Sequence, residues 1–154
     1  MNGEKLYLRK ANNEDVDLLF KWVNDQEVRK NSFDTHIITY EEHCVWFAKM
    51  QEDEKQLQYI LMFADQPIGQ IRLTINNGEA LISYSICKME RRRGFGKAAL
   101  ALVKEKIQED CPGVIKLIGR VKADNISSCH VFTRNGFEET YKQYEYLISN
   151  GSGR

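Results

Sequence analysis

One run constrains this chain more than any other: Arg91-Arg92-Arg93-Gly94-Phe95-Gly96-Lys97. Before it, Leu81 to Ile86 alternates as a strand does; after it, Ala98 to about Ile107 carries apolar residues at helical spacing. A strand that passes through a basic, glycine-bearing loop into a helix builds an anion site. The first turn of a helix leaves backbone N–H groups unpaired, and the peptide dipoles add positive potential there. Gly94 and Gly96 remove side chains that would hold a pyrophosphate away from those donors. Arginine guanidinium groups pair with phosphate oxygens in a forked geometry. Taken alone, the same loop also fits a solvated turn that holds no ligand.

The rest of the chain narrows the choice. Its 154 residues suffice for one domain with a real core, expected over residues 1–149, with 150–154 as a flexible tail. Lys+Arg and Asp+Glu both number 22, so no global field points to nucleic acid or to an anionic membrane. The basic character is local, which suits a small anion. Cys44, Cys87, Cys111 and Cys129 contain no C-x-x-C pair, so neither a zinc site nor a disulfide framework is expected. No metal is expected at all. Met1 leads into charged residues and no apolar run approaches 18 residues, which predicts a cytoplasmic protein.

Periodicity predicts an α/β chain. Leu6 to Arg9 reads as a strand, then a helix capped by Asn12 or Asn13 runs from near Glu14 to Val23. Thr39 and Glu42 form a capping box ahead of a helix with His43, Trp46, Phe47 and Met50 on one face. Strands follow at 57–63, 68–75 and 80–86, the last two joined by the hairpin signal Asn76-Asn77-Gly78. Beyond the long helix come a strand at 115–121, a helix at Ile126 to Arg134 closed by Asn135-Gly136, and strands at 137–141 and 144–148.

No G-x-x-x-x-G-K-[ST] is present, so the loop is not a P-loop. Gly94-Phe95-Gly96-Lys97-Ala98-Ala99 does match a dinucleotide fingerprint, with Asp124 after a later strand. Against that reading, Cys87 to Arg93 separate the glycines from the strand, the preceding strands are hairpin-connected, and too little chain remains for a second mononucleotide half. Arg91-x-x-Gly94-x-Gly96 instead resembles the [QR]-x-x-G-x-[GA] pyrophosphate loop of the GNAT N-acetyltransferase family. Asn125-Ile126-Ser127-Ser128 and Val131 to Phe137 are similar to that family's N-x-x-[AS]-x-x-[LV]-[YF]-x-x-x-G-F helix. The resemblance spans residues 5–148.

It implies a mixed, mostly antiparallel sheet, splayed at the acetyl-CoA site, with helices on both faces. It also implies acetyl transfer from acetyl-CoA to a primary amine. Backbone N–H groups of Arg92 to Lys97, after Arg91, would hold the pyrophosphate. Ile86, Cys87 and Lys88 would pair with the pantetheine, and Asn125, Ser128, Phe132 and Arg134 would line the other side. Many members have Tyr where Phe132 stands, to protonate the leaving thiolate; Tyr84, Tyr141, Ser128 and water are substitutes, unless the thiolate leaves unprotonated.

For the acceptor, Trp22-Val23-Asn24-Asp25 with Val28-Arg29 and Ser32, and Glu41-Glu42-His43 with Trp46-Phe47, are similar to acetyltransferases of pseudaminic acid biosynthesis, except that Val23 replaces an Arg. Those enzymes acetylate the 4-amino group of a UDP-linked 4-amino-4,6-dideoxy sugar. The resemblance implies Trp22, Arg29, Phe33, His43, Trp46 and Tyr84 as acceptor contacts. Phe33 and Trp46 would offer faces to a sugar methyl, Arg29 would meet a phosphate, His43 would accept the amine proton and Tyr84 would orient the sugar. Each has a structural alternative: Phe33 and Trp46 as core, Arg29 paired with Glu27 or Asp25, Tyr84 as packing. A ribosomal-type protein N-terminal acetyltransferase and a non-catalytic acetyl-CoA binder are the competing functions. A polyamine acetyltransferase should line its acceptor site with carboxylates. A monomer or a homodimer is expected, paired in the latter case through the C-terminal strand.

Overall fold

The computed structural model describes residues 5–149, so the tail expected at 150–154 lies outside the described residues. Strands β1 (Leu6–Lys10), β2 (Gln56–Phe63), β3 (Gln66–Asn76), β4 (Glu79–Ile86) and β5 (Lys116–Gly119) form one sheet in that spatial order. The first four pair antiparallel, and β5 joins β4 in parallel. Two tight turns set the meander. Ala64 and Asp65, and then Asn77 and Gly78, all take positive φ, the geometry that matches the twist of a two-residue hairpin. The parallel step needs a crossover, supplied by helix α4 (Phe95–Asp110).

Alternation along the strands gives the sheet two unlike faces. Leu8, Tyr59, Leu61, Ile71, Leu73, Ala80 and Ile82 point one way and pack on Ala99, Leu100, Val103 and Ile107 of α4 and on Phe132 of α5 (Ile126–Arg134). On the other face Ile60 and Met62 pack on Leu19 and Trp22 of α1 (Val16–Val23) and on Phe47 and Met50 of α3 (Tyr40–Glu52). Helices thus cover both faces. The second face is apolar only at one end: its register rows Gln58–Arg72–Ser83 and Gln70–Ser85 are polar.

The capping box at Thr39 and Glu42 is formed, and Asn125 caps α5 through Ser128 N–H. A short helix α2 (Gln26–Asn31), capped by Asp25, follows α1. The strands expected at 137–141 and 144–148 do not form. They join no ladder among the described residues, and the Lys142-Gln143 step between them lacks the Asn-Gly chemistry of a tight hairpin. Tyr141, Tyr144, Tyr146, Leu147 and Ile148 are exposed.

β4 and β5 pair over only Glu79–Ile82 and Lys116–Gly119, and then part. Gly119, at the point of separation, is where Phe132 enters: a Cβ there would lie 2.2 Å from the ring. The opening between the strands is therefore floored by an aromatic ring lodged against backbone.

Candidate active site

A cavity of about 970 Å³ runs from the parted end of β4 to the aromatic side of α1 and α3. That is the size of a site for a substantial ligand.

One end is built from the basic loop. Gly94 is the N-cap of α4 in the left-handed region (φ 82°), and no side chain caps the helix. The N–H groups of its first turn are therefore unspent, with no acidic residue among them. Arg92 also takes a positive φ of 64°, a strained setting for a residue with a Cβ. Gly96 faces Tyr84 and Val131, so the absence of its side chain keeps the helix end open. On β4 the Cys87 N–H bonds Ile68 of β3 at 2.8 Å. Antiparallel alternation then turns the N–H groups of Tyr84 and Ile86 toward the edge that β5 has left. The loop and the strand edge together fit a pyrophosphate followed by an extended amide-bearing chain.

The arginines of the loop divide the work. Arg91 donates from Nε to the Ile86 carbonyl (3.0 Å) and from Nη2 to Asp25 (2.8 Å), with Glu27 at 3.7 Å. It ties the end of β4 to the cap of α2 and so joins the two halves of the cavity. Burial opposes ionisation of Asp25, but the Arg91 contact and the backbone N–H groups of α2 outweigh it and lower its pKa. Arg93 pairs with Glu90 and lies over Phe95. Of these three arginines, Arg92 alone keeps its side chain unpaired among the described residues, on the cavity wall. Cys87, Lys88 and Arg93, expected at the cofactor, lie outside the cavity lining, although Ile86, Glu90, Arg91 and Arg92 belong to it. Burial raises the Cys87 thiol pKa, the opposite of nucleophile activation.

Across the opening, α5 brings Ser128 to Tyr84. Their oxygens are 2.9 Å apart. Burial raises the Tyr84 pKa while the Ser128 hydrogen bond opposes the shift, so the phenol stays protonated near neutral pH. Phe132 is buried edge-on to Tyr84 and Phe137, and Tyr141 is exposed elsewhere. Asn125, Ser128, Phe132 and Arg134 all line the cavity.

The other end is aromatic. Trp22, Phe33, His43 and Trp46 line it, with Phe33 on the rim at 68% exposure. His43 is 3% exposed among Phe20, Trp46 and Phe47. Its Nε2 is 2.8 Å from the Val16 carbonyl, which can only accept, so Nε2 carries the proton and Nδ1 is the free acceptor. Burial lowers its pKa below the ordinary value of about 6.5. The unfolded chain therefore binds this proton more readily than the folded one. Stability from His43 is complete above about pH 6.5 and falls as pH drops toward the folded pKa. Urea midpoints measured between about pH 7.5 and pH 5 should fall with acid, and the fall should be smaller in His43→Gln.

Arg29 is corrected by the structure. It is buried, and its Nε bonds the Val23 carbonyl, Nη1 the Asp34 and His36 carbonyls and Nη2 the Ser32 hydroxyl. It clasps the loop from Ser32 to His36 and is not available as the phosphate contact. Arg72 is the residue that sequence reading missed. It lines the same end, 5.1 Å from the Trp46 ring. The Gln70-x-Arg72-x-Thr74 alternation was the available signal. The wall's carboxylates are all engaged: Glu27 beside Arg91, Asp34 with His36, Glu42 on the Thr39 N–H, Glu90 with Arg93. Among the described residues, Arg29, Arg72, Arg92, Lys97, Arg120 and Arg134 line the cavity with no carboxylate within 4 Å, and of these Arg29 alone spends its guanidinium on backbone carbonyls. No cluster of metal-ligating side chains occurs among those residues, and no helix there is long and apolar enough to cross a membrane.

Residues 5–138 match the family model described as "Acetyltransferase (GNAT) domain". No curated protein matches the chain. Among solved structures, a domain from Methanocaldococcus jannaschii superposes with a TM-score of 0.80 at 21% identity, covering 92% of this chain and 94% of its own. The spermidine N-acetyltransferase of Vibrio cholerae, with CoA and spermine, gives 0.80 at 19%, covering 94% and 88%. A ribosomal L7/L12 alpha-N-protein acetyltransferase with CoA gives 0.76 at 19%, covering 93% and 86%.

Proposed function

The chain belongs to the GNAT acetyltransferase family, and on that premise we propose that it acetylates the 4-amino group of a UDP-linked 4-amino-4,6-dideoxy sugar, a pseudaminic acid pathway step, in the cytoplasm. Acetyl-CoA is the donor and supplies an activated acetyl thioester. One observation carries the reading: a single cavity joins an anion grip to an aromatic end where every carboxylate is already engaged. A polycationic acceptor such as spermidine meets a wall whose four carboxylates already hold partners and are outnumbered by its arginines and lysines. A sugar with an apolar methyl and a distal diphosphate finds aromatic faces and unpaired cations.

The roles follow from position. First-turn N–H groups of α4, with Arg92 and Lys97, hold the donor pyrophosphate. The edge N–H groups of Tyr84 and Ile86 align the pantetheine and polarise the thioester carbonyl. His43 Nδ1 takes the amine proton, directly or through water, and the Tyr84–Ser128 pair returns a proton to the departing sulfur. Trp22, Phe33 and Trp46 bound the sugar.

The test is incubation with acetyl-CoA and a panel of UDP-amino-sugars, spermidine and peptides with free N-termini, read by mass. Acetylation of the 4-amino sugar in preference to the other acceptors is expected. Acetyl gain on peptides alone makes the protein an N-terminal acetyltransferase, and acetyl-CoA binding with transfer to none of them makes it a non-catalytic binder.

A further inference from the structure

We infer that Arg72 is the anion receptor of the acceptor half of the cavity, so that the acceptor carries a phosphate on the far side of its reactive amine. The inference rests on the acetyltransferase reading and deepens it. Arg72 stands in the middle of β3, in register with Gln58 on β2 and Ser83 on β4, in a polar row of the sheet face that carries Ile60 and Met62. Its guanidinium carbon lies over Trp46, 5.1 Å from the ring centroid, a contact that uses none of its N–H donors. Among the described residues no carboxylate lies within 4 Å and no hydrogen bond reaches it. Its neighbour Gln58 spends its amide on Gln70 and on the Tyr59 and Ile71 carbonyls.

A guanidinium withdrawn from water with no counter-charge is costly, and it stays ionised. A ligand oxyanion relieves that cost and adds a forked pair of charge-assisted hydrogen bonds. The donor's phosphates are served by the loop cations at the other end, leaving Arg72 for the acceptor. Arg29, the arginine that the sequence pointed to, spends its donors on the Val23 carbonyl and on the Ser32–His36 loop.

The probes are UDP, inorganic pyrophosphate and uridine, titrated into protein saturated with CoA so that the donor site is filled. Wild type should bind UDP and pyrophosphate but uridine at least tenfold more weakly. Arg72→Met should lose at least tenfold of the UDP affinity while keeping its affinity for acetyl-CoA, and Arg72→Lys should restore part of it. Equal UDP affinity in wild type and Arg72→Met overturns the inference, as does wild type that binds neither UDP nor pyrophosphate. Pyrophosphate and UDP binding alike through Arg72, with no transfer to any UDP-amino-sugar, keeps the receptor and discards the nucleotide-sugar acceptor. Arg72→Met that also loses acetyl-CoA affinity assigns Arg72 to the donor or to the fold and overturns the inference as well.

Discussion

Gly96→Val should abolish measurable acetyl-CoA binding while leaving the protein folded. The two effects separate because Gly96 is used differently by the fold and by the ligand. Its φ is not in the left-handed region, so α4 accepts a side chain there without backbone strain. A Cβ would meet Tyr84 at 3.4 Å and Val131 at 3.5 Å, contacts the fold can absorb. The branched methyls, however, stand over the first-turn N–H groups and keep a pyrophosphate from reaching them. Titration calorimetry should show a loss of roughly 100-fold or more, about 2.7 kcal/mol, with far-UV dichroism and the urea midpoint close to wild type. Undiminished affinity would remove the loop from the donor site.

Tyr84→Phe should lower kcat by roughly 100-fold, the scale of a lost general acid, with the KM for acetyl-CoA little changed. The phenol is held by Ser128 at 2.9 Å and kept protonated by burial, so it can give its proton to the departing sulfur and recover one through Ser128. Removing only the hydroxyl leaves the ring packed edge-on to Phe132. Ser128→Ala should fall in the same direction by less. A Tyr84→Phe enzyme with wild-type kcat would mean that the thiolate leaves unprotonated, as a thiol's moderate pKa permits. The Phe132 position offers no substitute, since its ring is wedged over Gly119 and turned into the core.

Local chemistry made much of the fold readable. Asn77-Gly78 demands a tight hairpin, Thr39 with Glu42 demands a helix start, and strand alternation separates the core face from the other. The glycine-bearing start of α4 was readable for the same reason, because glycine and helix N-termini act over a few residues. What could not be read depends on distance in sequence. Arg91 serves Asp25, 66 residues away, and Tyr84 serves Ser128, 44 away. Arg29 looked like a phosphate contact because its loop partners are backbone carbonyls, which no side-chain pattern announces. Arg72 was hidden by the opposite circumstance: its importance lies in partners it does not have. The strands expected at 137–148 failed because alternation records a preference for extended backbone, whereas a strand also needs a neighbour.

The most direct test is a crystal structure of the ternary complex with CoA and a UDP-4-amino-4,6-dideoxy sugar. The CoA pyrophosphate should lie on the N–H groups of Arg92 to Lys97, its pantetheine in the opening between β4 and β5, and the sugar diphosphate on Arg72. The 4-amino group should lie between His43 and the CoA sulfur. CoA bound away from the basic loop, or a sugar whose amine faces solvent while the Trp46 end stays empty, would contradict it.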